Sequence, residues 1–204
     1  MEKFLRLFVR QKLPLLVFIS IIFIIGIGFG AFAVRTVDYN IQQDLFSYFS
    51  DFLKGYNNID YQKSALINES IKFNLLSISV IWLFGMSVII MPLVPMLVFF
   101  KGFVLGFTIG FLVSQFNFKG IILAIVTVFP QNVLIVPAYI LAGVTAIAFS
   151  VKIVNYYRGR ERLSFNDFIN YSSKMILLGV LLLGGSLLET FVSPFMFRLV
   201  LRFF

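Results

Sequence analysis

Residues Leu13–Val34 read LPLLVFISIIFIIGIGFGAFAV, an apolar run without a charged residue. A helix needs roughly 20 mostly apolar residues to cross a bilayer, so this run predicts a membrane span. A cleaved signal peptide would have a shorter core of about 7–15 apolar residues and a small-residue cleavage site. We therefore expect an uncleaved first span.

Further apolar segments follow this first one along the chain. We expect spans at about 73–91, 102–116 and 175–191, and a broken span over 120–151. Hydrophobic residues make up 60% of the chain, against about half in a typical soluble domain. The predicted fold is all-α: residues 1–204 form a single membrane domain, a polytopic bundle of about five transmembrane spans.

The residue types that are absent narrow the range of functions. The chain has no cysteine and no histidine, which excludes thiol nucleophiles, disulfides and the usual zinc ligand sets. No Walker lysine, H-E-x-x-H or G-x-S-x-G motif is present. We therefore expect no catalytic residues, no metal site and no cofactor.

The basic residues point to lipid rather than nucleic acid. The formal net charge is +8, but the lysines and arginines flank apolar runs. That arrangement is typical of membrane topology and of contact with anionic headgroups. Basic residues in short loops prefer the cytoplasmic side, so we expect a cytoplasmic N-terminus, an extracytoplasmic segment 35–72 and a cytoplasmic loop 152–174.

Prolines predict irregular points in the bundle. Pro92 and Pro95 favour a short re-entrant or interfacial piece between the second and third spans. It would end at a turn near Lys101, which we expect to anchor the cytoplasmic boundary by snorkelling. In the fourth span, a break over 130–137 would leave a half-helix over 120–129 and the main crossing from about Val133 to Val151.

Glycines form smooth faces on two of the predicted spans. Gly26 and Gly30 are four residues apart in the first span, and Gly102, Gly106 and Gly110 repeat at the same spacing in the third. Small residues at this spacing allow close approach of helices in membranes. These faces are expected to receive a partner's membrane anchor or to support a homodimer.

The polar segment 35–72 contains an amphipathic helix. Its outer apolar face is predicted to consist of Ile41, Leu45, Phe49 and Phe52, which recur at helical spacing. The helix would lie on the membrane surface or beneath a partner. A solvated connector is the alternative interpretation.

Two polar elements inside apolar segments are candidate functional groups. Gln131 and Asn132 follow Pro130, where freed carbonyls need partners, so they either bridge helices or line a transport site. Glu189 is an acid near the end of the last span and is expected to pair with Arg198, Lys119 or the two amides, or to handle protons or ions.

Three stretches resemble one family in matching order. They read FKGFVLGF at 100–107, FPQNVLIVPAY at 129–139 and LLETFVSP at 187–194, after a glycine-rich stretch at 26–33. In these stretches the chain resembles the stage II sporulation protein M family, from its first span to its last.

The resemblance implies a non-enzymatic scaffold in the mother-cell membrane of endospore-forming bacteria. The implied partners are stage II sporulation proteins D and P, the enzymes that degrade septal peptidoglycan during engulfment. We expect partner anchors on the glycine faces and partner outer domains on segment 35–72. The residues expected to serve structure or docking are Lys101, Gly102, Gly106, Gly110, Pro130, Gln131, Asn132, Pro137, Glu189 and Pro194.

Two other function classes compete with a scaffold. A transporter or permease-like component would use the broken helices and Glu189. An intramembrane enzyme is disfavoured, because it would need at least a paired nucleophile and base.

Overall fold

A computed structural model describes the backbone of residues 2–55 and 60–201, and the side chains of 13–38, 40–48, 68–191 and Met196. The described residues form helices joined by short turns. They are α1 (Glu2–Thr36), α2 (Tyr39–Gly55), α3 (Asp60–Met86), α4 (Leu93–Phe116), α5 (Phe118–Thr127), α6 (Phe129–Tyr157) and α7 (Phe165–Leu201).

Five of these helices are long and apolar enough to cross a membrane. The candidate spans are Leu13–Thr36, Asn68–Met86, Leu93–Phe116, Phe129–Tyr157 and Phe165–Phe191. The prediction of an all-α polytopic bundle with five spans is confirmed.

The glycine faces of α1 and α4 pack against each other. A Cβ atom added at Gly106 would lie 2.0 Å from the Ile27 carbonyl oxygen, and one added at Gly30 would lie 2.0 Å from the Phe103 carbonyl oxygen. Only glycine permits so close a backbone approach. The predicted close-packing face therefore exists, but the chain itself occupies it, so it is not free for a partner's anchor or a second copy.

Helix α6 lies at the centre of the bundle and contacts α1, α3, α4, α5 and α7. Its segment 142–150 is almost entirely buried because Ala142, Gly143, Thr145 and Ala146 are small enough to let several helices approach. Phe149 in the same segment stacks on Tyr171 of α7 with ring centroids 4.2 Å apart.

The turn between α3 and α4 comes earlier than predicted. Helix α3 ends at Met86 and α4 begins at Leu93, so Lys101 lies well inside a continuous helix. Pro92 caps α4 and Pro95 falls in its first turn, where a missing backbone N–H breaks no helical hydrogen bond. The predicted re-entrant piece before Lys101 is therefore absent from this described part of the chain.

The fourth span breaks before its prolines rather than between them. Val128 separates α5 from α6, Pro130 lies at the start of α6, and Pro137 is accommodated inside it. The predicted break over 130–137 is wrong, because Pro130 begins a helix instead of ending one. The expected half-helix is present as α5, and a Cβ at its Gly120 would lie 2.0 Å from the Leu112 carbonyl oxygen of α4.

The loop predicted at 152–174 is mostly helical. Helix α6 continues to Tyr157 and α7 starts at Phe165, so both helices extend beyond their apolar segments into the predicted loop. Asp167 accepts a hydrogen bond from the Ser164 N–H (2.9 Å) and pairs with Lys152 across the two helices. Ser164 thus lies directly before α7, which contains the last candidate span.

Helix α2 confirms helical structure in the polar segment 35–72. Gln42 donates to the carbonyl oxygens of Val34 and Val37, both at 3.0 Å, and so satisfies the end of α1. Ile41 is exposed, whereas the predicted face residues Phe49 and Phe52 have side chains outside the described residues. The side of the membrane on which α2 lies remains a prediction.

Candidate functional site: a polar cluster inside the bundle

Lys101 carries its charge into the middle of the bundle. Lys101 lies eight residues after Leu93, a rise of about 12 Å along α4. Lys101 therefore lies inside a helix rather than at a turn, and its ammonium contacts side chains of α3 and α6. The turn predicted near Lys101 is therefore wrong, whereas its role as a boundary anchor stays a prediction.

Three side chains surround the Lys101 ammonium. Nζ donates to Asn74 Oδ1 of α3 at 3.4 Å. It also lies over two aromatic rings, 4.8 Å from the Tyr139 centroid and 5.2 Å from the Phe73 centroid. Cation–π contacts of this kind are worth about 2 kcal/mol when desolvated. Together these groups offset part of the cost of a charge inside the bundle.

Asn74 connects this cation to two further helices. Besides Lys101, its Oδ1 accepts from the Tyr139 hydroxyl of α6 at 3.3 Å, and its Nδ2 donates to Ser186 Oγ of α7 at 2.8 Å. Asn74 is only 2% exposed, so water contributes little to satisfying its amide. One buried amide therefore joins α3, α4, α6 and α7.

Glu189 lies one turn beyond Ser186 on α7, at the outer end of the cluster. Its carboxylate accepts a hydrogen bond from Ser70 Oγ of α3 at 2.6 Å. Ser70 is the hydrogen-bond partner of Glu189 that the structure describes, and of the predicted partners Arg198 has its side chain outside the described residues. The contacts 70–189 and 74–186 follow each other at one-turn intervals, as expected for antiparallel helices.

The predicted amide pair lies apart from this cluster. Asn132 donates from Nδ2 to the Val128 carbonyl oxygen at 2.7 Å and so satisfies the helix junction locally. Gln131 is buried, with its backbone carbonyl facing Gly185 of α7. Pro137 precedes Tyr139 by about half a turn, and Pro194 lies in α7 with its side chain outside the described residues.

Sequence reasoning missed four members of the cluster: Ser70, Asn74, Tyr139 and Ser186. A signal was available, because Asn74 and Ser186 are strongly polar or hydroxyl residues inside apolar segments. Ser70 and Asn74 also share a helix face at a spacing of four. Which helices meet there depends on the tertiary arrangement, which the spacing alone does not supply.

The chemistry of the cluster is electrostatic and hydrogen-bonding. In the described part of the chain, no group of three or more acidic side chains could hold a metal ion. Each buried side-chain nitrogen and oxygen there has a hydrogen-bond partner. The cluster thus resembles a satisfied polar network that fixes the positions of four helices.

The fold and the cluster define a multi-pass helical membrane protein held together by glycine contacts and one central polar network. The family profile of stage II sporulation protein M matches residues 19–194, so the chain belongs to the stage II sporulation protein M family. It is therefore a sporulation-related membrane protein. Comparison with curated proteins and with solved structures gave no match.

Proposed function

We propose that this protein is a non-enzymatic membrane scaffold in endospore formation. It would hold the peptidoglycan hydrolases, stage II sporulation proteins D and P, at the septal membrane during engulfment. The observation that carries the proposal is the family match across residues 19–194, which includes all five candidate spans in whole or large part.

The internal contacts support a rigid platform. Asn74, Tyr139 and Ser186 use their polar groups to bind helices to one another. Gly30 and Gly106 also join helices, because they allow the backbones of α1 and α4 to pack closely. Because these groups are engaged in contacts between helices, they favour a rigid structure rather than one that changes during a catalytic cycle. Partners would then bind on surfaces other than the glycine faces.

The proposed orientation places α2 outside the cytoplasm. Helix α2 begins close to the end of α1 and contacts the end of α4 through Phe46 and Phe116, whose ring centroids are 6.0 Å apart. Beyond that contact, Ile41 and Tyr48 are exposed. If the N-terminus is cytoplasmic, α2 lies on the side where peptidoglycan is cut, and it is available to the partners' outer domains.

The transporter alternative has less support at its proposed site. A transport site would use the freed backbone near Pro130, but Asn132 satisfies the Val128 carbonyl there. Proton- or ion-coupled flux through reconstituted vesicles, abolished by Glu189→Gln, would favour the transporter instead.

Localisation of the hydrolases tests the scaffold. In an endospore former that carries this gene, its deletion should disperse fluorescent fusions of proteins D and P from the septum. Re-expression of the full chain should restore them. Septal fusions that persist at full intensity after deletion would refute the scaffold role.

A further inference from the structure

A pocket opens at the end of the bundle where α3 stops and where α6 turns into α7. Its volume is about 400 Å³, which is within the range of pockets that hold small molecules. All but one of its lining side chains are apolar, and these are Met86, Phe149, Ile153, Leu163, Phe165 and Phe168. We call it the end pocket.

Fixed contacts hold the walls of the end pocket in place. Phe149 stacks on Tyr171, and the Tyr171 hydroxyl donates to the Trp82 carbonyl oxygen of α3 at 2.8 Å. Ser150, which follows Phe149, donates to the Gly85 carbonyl oxygen at 2.6 Å. The ends of α3, α6 and α7 are therefore joined to one another, and the pocket is preformed.

The turn between α6 and α7 carries a concentration of positive charge next to the pocket. Arg158, Arg160 and Arg162 are exposed, and no ion pair or side-chain hydrogen bond joins them to another residue that the structure describes. Glu161 is the acid of the turn, and its Oε1 accepts a hydrogen bond from Asn155 Nδ2 at 3.2 Å. We call residues 158–162 the arginine turn.

The backbone fixes the arginine turn beside the pocket. Gly159 has a φ of +70°, and the Arg160 N–H donates to the Asn155 carbonyl oxygen at 2.9 Å, which is the bond that ends a helix in a Schellman motif. Arg162 directly precedes Leu163, the first residue of the turn that lines the pocket. The cations and the apolar wall therefore belong to one ordered connection.

This end of the bundle lies at a membrane boundary, because one candidate span ends at Tyr157 and the next begins at Phe165. Tyr156 and Tyr157 are exposed there, as is typical of aromatic residues at the headgroup level. The turn that follows pocket residue Met86 exposes Ile89, which is 90% accessible. The pocket thus has cations on one side and apolar side chains that suit the acyl layer on the other.

We propose that the end pocket and the arginine turn bind one anionic phospholipid. The arginines would hold the acidic headgroup, since guanidinium groups bind phosphate through paired hydrogen bonds. The first part of an acyl chain would occupy the apolar pocket. The inference goes beyond the proposed function, because a lipid site at this position does not depend on the hydrolases.

Other occupants match only part of this arrangement. A soluble anion could bind the arginines but would leave the apolar pocket unfilled. A zwitterionic phospholipid would fill the pocket but would bring its own cationic group towards the arginines. A second copy placed symmetrically would bring two arginine turns together, and they would repel each other. An anionic phospholipid satisfies both the charge and the apolar walls.

Native mass spectrometry tests the headgroup preference. The full chain in non-ionic detergent is given equal amounts of phosphatidylglycerol and phosphatidylcholine with identical acyl chains. We expect phosphatidylglycerol to be retained about tenfold more, and Arg160→Gln/Arg162→Gln to bring the two lipids close to equality. Arg35→Gln/Lys72→Gln removes the same charge elsewhere on the exposed surface and should keep the preference.

A variant that keeps the charge separates lipid binding from folding. Arg160→Lys/Arg162→Lys should retain most of the preference, because lysine also attracts an anionic headgroup. The apolar half of the site has its own variant: Leu163→Trp places a larger side chain at the pocket wall and should lower the retention of both lipids. Leu187→Trp, at an exposed position of α7 outside the pocket, should leave retention unchanged.

Three results would overturn the inference. The first is equal retention of the two lipids by the wild-type chain, and the second is an unchanged preference in Arg160→Gln/Arg162→Gln. The third is displacement of the retained lipid by an excess of soluble glycerol phosphate, since this would show a simple anion site without a contribution from the acyl chain.

Discussion

At the scale of single residues, Asn74 connects more helices than any other described polar side chain of the cluster. Its amide bonds to Lys101, Tyr139 and Ser186 on three different helices. Asn74→Leu would leave a buried ammonium and a phenol without this acceptor, each at a cost of about 1–3 kcal/mol. Other groups can replace part of these hydrogen bonds, so we expect the free energy of unfolding to fall by about 2–3 kcal/mol in total.

Denaturant unfolding in detergent measures this loss. Asn68→Leu is the matched control, because Asn68 is an exposed asparagine on the same helix. It should change the free energy of unfolding by less than about 0.5 kcal/mol. Equal losses from the two variants would show that Asn74 does not carry the network.

Two glycines give a second test at the residue scale. Gly106→Ala places a methyl group 2.0 Å from the Ile27 carbonyl oxygen, so α1 and α4 must separate. Overpacking of this kind costs about 1–3 kcal/mol. Gly28→Ala meets nothing within 4 Å, and in a helix it should be neutral or slightly stabilising. Thermal unfolding in detergent compares the two, and a loss of similar size in both would contradict the packing.

At the scale of helices, the number and type of elements were predictable because apolar length and polar spacing are local properties. The bounds were less predictable at prolines. Pro92 and Pro130 both begin helices, yet proline in a sequence is compatible with either the start or the interruption of a helix. Lys101 was misplaced for a related reason, since a charge in an apolar segment usually marks its end.

The glycine faces illustrate the same limit. Their spacing predicted close helix contact, and α1 and α4 make that contact. The sequence did not specify whether the contacting helix would come from this chain, a second copy or a partner, because the stripes of α1 and α4 look alike. Similarly, the polar cluster needed four helices in place before its members could be recognised.

Orientation is a prediction about whole helices and their connections. The chain has no cysteine, so single cysteines report accessibility without background. Gln43→Cys in α2 should react with a membrane-impermeant maleimide added to intact protoplasts. Arg160→Cys, between α6 and α7, should react only after permeabilisation. The opposite pattern would place the N-terminus outside and would remove α2 from the side where peptidoglycan is cut.

At the scale of the whole molecule, the protein combines a self-contained interior with a largely apolar exterior. Glycine contacts join α1 to α4, while the polar cluster joins α3, α4, α6 and α7. The exposed part of α2 is the surface that the proposed function assigns to partners. This arrangement suits the proposed role of positioning other proteins.

Co-purification tests that role most directly. The full chain, tagged and co-expressed with stage II sporulation proteins D and P, is extracted in mild detergent and analysed for stoichiometry. The scaffold account predicts that both hydrolases elute with the chain as one complex, and that an unrelated five-span protein of similar charge retains neither. Elution of the chain without either hydrolase, under conditions in which both remain folded, would contradict it.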